Sequence, residues 1–197
     1  MLGLDILSYE ADRDERDLFA LYADPMGQPL FSERVPITSL AEFSDWLDGM
    51  LRESYHDFHV VRAHEGGELA GIVFSYDYHP FDLHCKVCVS LTRPWQDRGV
   101  AGRLGATFID ELFRAYPLRK VYALVYGYNE RSLASNLQAG FEEEGCLQAY
   151  RYFDGAYHDC HILAMTRERF AERLARFSDL PPVGAASQAG RDDGSRA

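Results

Sequence analysis

The sequence predicts a mixed α/β (α+β) fold, a sandwich of strands and helices. Three observations predict it. Short alternating apolar runs and longer runs of helical spacing follow the order β-α-α-β-β-β-α-β-α-β-β with a closing helix, which is not the strict alternation of a doubly wound sheet. Gly, Pro and Asp-Gly punctuation separates these runs. A length of 197 residues, 47% of them hydrophobic, is enough for one substantial core.

Residues 4–9 read as the first strand. Asp12 or Asp14 is expected to cap a helix carrying Leu18, Phe19, Leu21 and Tyr22, which Pro25, Gly27 and Pro29 break. Thr38 or Ser39 caps the second helix, with Leu40, Phe43, Leu47 and Leu51 at helical spacing. Strands are expected over 58–63, 69–76 and 84–92, the first two joined by His64-Glu65-Gly66-Gly67. Gly99 to Tyr116 is the clearest helix, with the stripe Leu104, Phe108, Ile109, Leu112 and Phe113 ahead of Pro117. A strand over 120–126 and a short helix over 129–139 ending at Gly140 follow. Residues 141–153 and 157–165 form a hairpin turned by Asp154-Gly155, and 167–176 a charged last helix. From Ser178 aromatic residues vanish, and Pro, Gly, Ala and Ser take over. The chain therefore divides into one domain over 1–177 and a disordered tail over 178–197.

A formal net charge of −11 repels phosphate backbones and argues against nucleic-acid binding, while serving solubility or a weak attraction for cationic amines. The Met1-Leu2-Gly3-Leu4-Asp5 start has no basic flank and no long apolar stretch, so neither signal peptide nor membrane span is expected, and a cytoplasmic location follows. A chain this long and this rich in apolar residues does not need a disulfide framework from its four cysteines. Cys85-x-x-Cys88 lies in an alternating run where residues three apart face opposite ways, and no second pair follows. Reduced thiols are expected, and no metal site.

The stretch most informative about chemistry runs from Val89 to Arg103: VSLTRPWQDRGVAGR. A strand enters a tight basic turn, and Gly99, Ala101 and Gly102 leave the backbone bare where a helix opens. Unpaired N–H groups and the helix dipole make such a start a site for pyrophosphate. Arg98 and Arg103 can add phosphate contacts. The spacing is not that of a Rossmann loop, and the Lys-Ser or Lys-Thr of a Walker loop is absent.

Gln96-x-x-Gly99-x-Ala101 resembles the Q/R-x-x-G-x-G/A signature of GNAT acetyltransferases. Asn129-x-x-Ser132, Gly140-Phe141, Glu144-Gly145 and Asp154-Gly155-x-Tyr157-x-Asp159 follow in the order found in the branch with spermidine and ribosomal-protein N-terminal acetyltransferases. The resemblance spans roughly residues 4–170 and is strongest from Val89 to Met165. It implies a mostly antiparallel seven-stranded sheet whose central strands splay apart. It also implies acetyl-CoA or a related acyl-CoA as co-substrate. The pantetheine arm would pair with Val89 and Leu91, flanking Ser90. The pyrophosphate would rest on Asp97, Arg98, Gly99, Val100, Ala101 and Gly102 beside Gln96 and Arg103, with Asn129 and Ser132 near the arm.

The residues depart from that pattern at the reacting centre. Many relatives carry a glutamate on the strand before the motif; here it reads His84-Cys85-Lys86, with a strand bulge expected near this point. His84, by its ordinary pKa, and Cys85 are the candidate bases. The tyrosine many relatives use as general acid is replaced by Asn136, which can only hydrogen-bond a leaving thiolate; Tyr128 is a candidate substitute. Tyr76 and Tyr78 on a polar-aromatic loop, and Glu33 between the first two helices, are candidate substrate residues in a pocket between those helices and the hairpin. The expected activity is acetyl transfer to a primary amine of a small molecule. The alternatives are a protein N-terminal acetyltransferase, a biosynthetic transferase of another acyl or aminoacyl group, and a non-catalytic acyl-CoA-binding module. A homodimer is left open.

Overall fold

A computed structural model describes residues 3–24, 37–64, 67–96 and 99–174. Among these, the strands are β1 (Leu4–Ser8), β2 (Tyr55–Ala63), β3 (Leu69–His79), β4 (His84–Leu91), β5 (Lys120–Tyr126), β6 (Glu142–Phe153) and β7 (Ala156–Thr166). The helices are α1 (Ala11–Ala23), α2 (Leu40–Glu53), α3 (Val100–Ala115), α4 (Glu130–Ala139) and α5 (Arg167–Leu174), with a 3₁₀ turn at Arg93–Trp95. The strands form one sheet in the order β1-β2-β3-β4-β5-β7-β6, antiparallel everywhere except between β4 and β5. The expected element order and mixed sheet are both present. The tail over 178–197 lies outside the described residues.

Alternation along the strands builds two cores. Val61, Val73, Cys85, Val87, Val121 and Leu163 face α3 and α5, whose Leu104, Phe108, Leu112 and Phe170 close that side. Val60, Ile72 and Phe74 face the other way, against Leu18 and Tyr22 of α1 and Phe43 and Leu47 of α2. Each fully buried side chain of this size contributes about 1.5–3 kcal/mol relative to exposure. The apolar stripe of α3 anticipated from its spacing is therefore a main tie between helix and sheet.

Several local details differ from the expectation. Neither Asp12 nor Asp14 is the N-cap of α1; that position is Glu10, without a side-chain cap. Asp14 acts from inside the first turn, accepting from the Glu10 N–H at 2.9 Å. It is fully buried and paired with Arg62 at 2.9 Å. On α2, Ser39 is the cap, accepting from the Glu42 N–H at 3.3 Å, while the Glu42 carboxylate accepts from Thr38 at 2.9 Å. β2 begins three residues earlier than its pattern suggests because a register shift between Tyr55 and Asp57 breaks the alternation. The irregularity expected on β4 lies opposite it on β3, between Tyr76 and His79, where Asp77 takes a left-handed φ of 48°. The Asp154-Gly155 turn carries φ of 47° and 81°, the paired positive angles a type I′ hairpin requires.

Candidate active site

β4 and β5 pair only through His84–Lys120, Cys85–Val121 and Lys86–Tyr122, then part. The hydrogen bonds on the outer sides of the two strands show which groups face the gap. On β4, the Thr92 N–H donates to the Ala70 carbonyl at 2.9 Å, next to the Gly71–Leu91 pair. Bonded and non-bonded pairs alternate in an antiparallel ladder, so Ser90 and Cys88 bond toward β3. The backbone groups of Val87, Val89 and Leu91 therefore point into the gap. On β5, the Gly127 N–H donates to the Asp159 carbonyl at 2.8 Å, so Leu124 and Tyr126 face the gap by the same reasoning. Two of these carbonyls have local donors: Leu91 accepts from Gln96 Nε2 at 2.9 Å, and Tyr126 from the Asn129 N–H at 2.8 Å.

The gap opens into a cavity of about 400 Å³ between β4, β5, α3 and α4. Val89, Ser90 and Leu91 form one wall, and Gln96, Gly99, Val100, Ala101 and Gly102 the floor at the start of α3. Gly99 is the N-cap, with φ 68° and no side-chain cap. Such a helix end keeps its first N–H donors for a ligand. A Cβ placed on Gly99 or Gly102 meets nothing within 4 Å. Gly99 answers its own left-handed backbone, whereas Gly102 answers no steric demand within the protein; together they leave the cradle bare. Asn129 and Ser132 stand on the opposite wall, where the Asn129 side chain caps α4 by accepting from the Ser132 N–H at 3.2 Å. Arg103 lies on the same α3 turn but does not line the cavity. Asp97, Arg98 and Glu33 lie outside the described residues.

The four catalytic candidates separate. Asn136 lines the cavity and donates to the Ser132 carbonyl at 2.8 Å. Cys85 is wholly buried in the α3-side core, and burial, aided by Asp57, pushes its thiol up to about 12; it is no base at neutral pH. His84 sits at the closed end of the fork, opposite Lys120, and is not in the cavity lining. Burial, then the adjacent His79, holds it below the usual imidazole range. Tyr128 lies past the end of β5, against Phe153 and His158, also outside the lining.

The substrate candidates part as well. Tyr76 packs on the α1–α2 face near Cys88, whereas Tyr78 stacks on His56 at 4.3 Å and packs against the α3-side core. Residues two apart on a strand share a face; the left-handed Asp77 between them reverses that parity. The space between α1, α2 and the sheet is filled by Tyr22, Phe43, Trp46, Tyr55 and Phe58, leaving only about 20 Å³. Of the polar groups on that face, Cys88 lines the cavity, while Tyr76 and its neighbour Tyr126 lie outside the lining. Burial raises Tyr76 well above the usual phenol range and Tyr126 to about 12, and burial raises Cys88 to about 12. Arg151 lies 5.0 Å from the Tyr126 ring.

Sequence reading missed Gly105, Arg131, Ser135 and Cys88, all in the cavity lining. Gly105 and Ala106 continue the bare face of α3. On α4, Ser132, Ser135, Asn136 and Ala139 recur at helical spacing, a small polar stripe legible in the sequence as the face toward a ligand. Arg131 carries no such signal: it closes over the turn by donating to Gln96 Oε1 at 2.8 Å, across 35 residues.

Residues 6–142 match the family described as Acetyltransferase (GNAT) domain. A prophage-derived uncharacterized N-acetyltransferase of Bacillus subtilis is 23% identical over 126 residues, 64% of this chain and 70% of that protein. Spermidine N(1)-acetyltransferase of Escherichia coli is 23% identical over 135 residues, 68% of this chain and 72% of that protein. Among solved structures, spermidine N-acetyltransferase from Vibrio cholerae in complex with CoA and spermine superposes with a TM-score of 0.77. It is 20% identical, over 86% of this chain and 98% of that one. A dodecameric structure of spermidine N-acetyltransferase from the same organism gives 0.74 at 20% identity, over 87% and 98% of the two chains.

Proposed function

The chain belongs to the GNAT acetyltransferase family, and from that premise we propose that it moves an acetyl group from acetyl-CoA to the primary amine of a small, polyamine-like molecule. The observation that carries this reading is the forked β4–β5 gap ending at the uncapped, glycine-lined start of α3. A linear ligand with an anionic end and amide groups along its length matches that shape. The first-turn N–H groups of α3 hold the diphosphate. The backbone groups of Val87, Val89 and Leu91 complete strand-like pairing with the pantetheine amides. Asn129, Ser132 and Asn136 border the arm from α4.

Bound acetyl-CoA supplies an activated thioester; the protein supplies position, hydrogen bonds and exclusion of water. Among the described residues, no carboxylate or imidazole lines the cavity. The amine reacts in its neutral form, since only its lone pair can attack the thioester carbonyl, and it loses one proton to solvent as the C–N bond forms and the C–S bond breaks. Tyr126 and Tyr76, kept protonated by burial, act as hydrogen-bond donors and not as bases. Asn136 offers its amide to the departing sulfur. The acceptor approaches from the α1–α2 face of the sheet, the side on which Tyr76 and, by alternation with Val125, Tyr126 lie. The names of the matched relatives favour a polyamine, and the net charge of −11 draws cations toward the molecule. A cytoplasmic setting belongs to this reading, since all four cysteines are free thiols. No helix among the described residues is long and apolar enough to cross a membrane.

The test is release of CoA thiol from acetyl-CoA with a panel of polyamines, amino sugars, amino acids and N-terminal peptides. Turnover with polyamines or another small amine supports the reading. Turnover with peptides alone transfers the assignment to protein N-termini. CoA binding with no thiol release from any amine overturns it in favour of a binding module.

A further inference from the structure

His84 is left over from the acyl-transfer site, and its neighbours form a group of their own. β3 and β4 are joined by a reversal from His79 to His84, closed by the Leu83 N–H donating to the His79 carbonyl at 2.8 Å. Leu83 takes a left-handed φ of 55° to make the turn, a strain that a leucine rarely carries. The reversal sets His79 directly across the ladder from His84, with ring centroids 4.4 Å apart. The Asp82 carboxylate lies 3.9 Å from His79 Nδ1. One nitrogen of each imidazole and one Asp82 oxygen all fall within 4.8 Å of one another. Nδ1 of His84 is buried with no hydrogen-bond partner in the protein, a state that is costly unless something else engages the ring.

We propose that His79, Asp82 and His84 form a binding site for a divalent transition-metal ion of the zinc class, at the closed end of the β4–β5 fork. Two imidazoles and one carboxylate are the donor set such ions take; Mg²⁺ and Ca²⁺ prefer oxygen alone. Three protein ligands leave a fourth position for water, and the outer two ligands face solvent, so an ion can enter. The flanking cations do not fill the site. Lys120 is held by Glu144, and Arg119 Nε donates to the Asp82 backbone carbonyl at 3.1 Å, leaving the carboxylate toward the histidines. An ion here ties the reversal to the first residue of β4, two positions before Lys86, where strand pairing ends. It would stiffen the hinge of the fork without touching the acyl cavity. The expectation of no metal rested on cysteine spacing, which says nothing of a His-x-x-Asp-x-His reversal.

The experiment titrates ZnCl₂ into EDTA-dialysed full-length protein by calorimetry and records the visible spectrum of the Co²⁺ form. The variants are His79→Ala and Asp82→Asn, with His161→Ala as control. His161 belongs to a second cluster, with Glu143 and Cys146, whose donor atoms also lie within 4.8 Å. The expected result is one saturable Zn²⁺ per chain, weakened roughly tenfold or more in His79→Ala and Asp82→Asn and unchanged in His161→Ala. The Co²⁺ form should lack strong thiolate absorption. His79 is 52% exposed, so its loss leaves the fold intact, which circular dichroism checks. The proposal is overturned by absence of saturable binding in the wild type or by full affinity in His79→Ala. It is equally overturned by loss in His161→Ala with thiolate absorption, which assigns the ion to the other cluster. None of these outcomes bears on acetyl transfer.

Discussion

Replacing Gly102 tests whether the start of α3 is the proposed diphosphate cradle or ordinary helix packing. The backbone there is not left-handed, and a Cβ meets nothing within 4 Å, so the protein alone has no steric reason to keep glycine. Alanine should stabilise α3 by up to about 1 kcal/mol from helix propensity. Glutamate should fold equally well but set a carboxylate into the cradle. Two like charges about 5 Å apart repel by ~0.8 kcal/mol in bulk water and ~3 kcal/mol at an effective dielectric near 20. The cradle is open to solvent on one side, so the loss should fall between those limits. That corresponds to roughly 4- to 150-fold weaker CoA binding. Calorimetry with CoA, paired with thermal melts of both variants, reads the two effects apart. A folded Gly102→Glu protein that binds CoA as the wild type does would refute the assignment of the α3 N-terminus. Gly99→Glu is expected to weaken binding too, but its φ of 68° adds backbone strain and makes it the less clean probe.

Other outcomes follow from the same geometry. Gly71→Ala should destabilise the fold by about 1–3 kcal/mol in denaturant titrations, because its Cβ would clash with the Ser90 carbonyl oxygen and force β3 from β4. Arg62→Met should cost about 1–3 kcal/mol in the same assay, since the buried Asp14 carboxylate loses one of its two guanidinium partners and keeps Arg13. Burial works to raise the Asp14 pKa, but hydrogen bonds from Arg13, the Glu10 amide and Arg62 outweigh it and hold the carboxyl below its ordinary value. A group depressed on folding stabilises above its unfolded pKa, near ~3.9, and that stability is lost as pH falls through the lower folded value. Acid melts should show this loss, and Asp14→Asn should flatten it. Tyr126→Phe should lower kcat by about tenfold with little change in KM for acetyl-CoA, and Cys85→Ala should leave kcat unchanged; steady-state kinetics checks both.

The bare start of α3 was legible because it is local. Glycine and alanine at a helix start expose backbone donors whatever the rest of the chain does, and Gly99, Ala101 and Gly102 were readable on those terms, whereas Asn129 and Ser132 were named only through the family resemblance. The catalytic assignments were less so. His84 and Cys85 follow directly on each other in the strand, yet one closes a surface reversal and the other is sealed in the core, and neither borders the cavity. Spacing supplies candidates of the right chemistry; burial and the point where β4 leaves β5 decide which of them reach the thioester.

What the sequence by itself determined is the order of elements, the apolar stripe of α3, a cap for α2 at Thr38 or Ser39, the Asp154-Gly155 turn and the bare start of α3. Each follows from steric and hydrogen-bonding preferences within a few residues. Only the tertiary structure decided that the β4–β5 fork opens after Lys86, that Tyr78 turns away from Tyr76, that Arg131 reaches Gln96, and that Asp14 finds Arg62 48 residues on. Those outcomes depend on a non-local strand register and on one left-handed residue, whose energies are summed over partners that no short window of sequence contains.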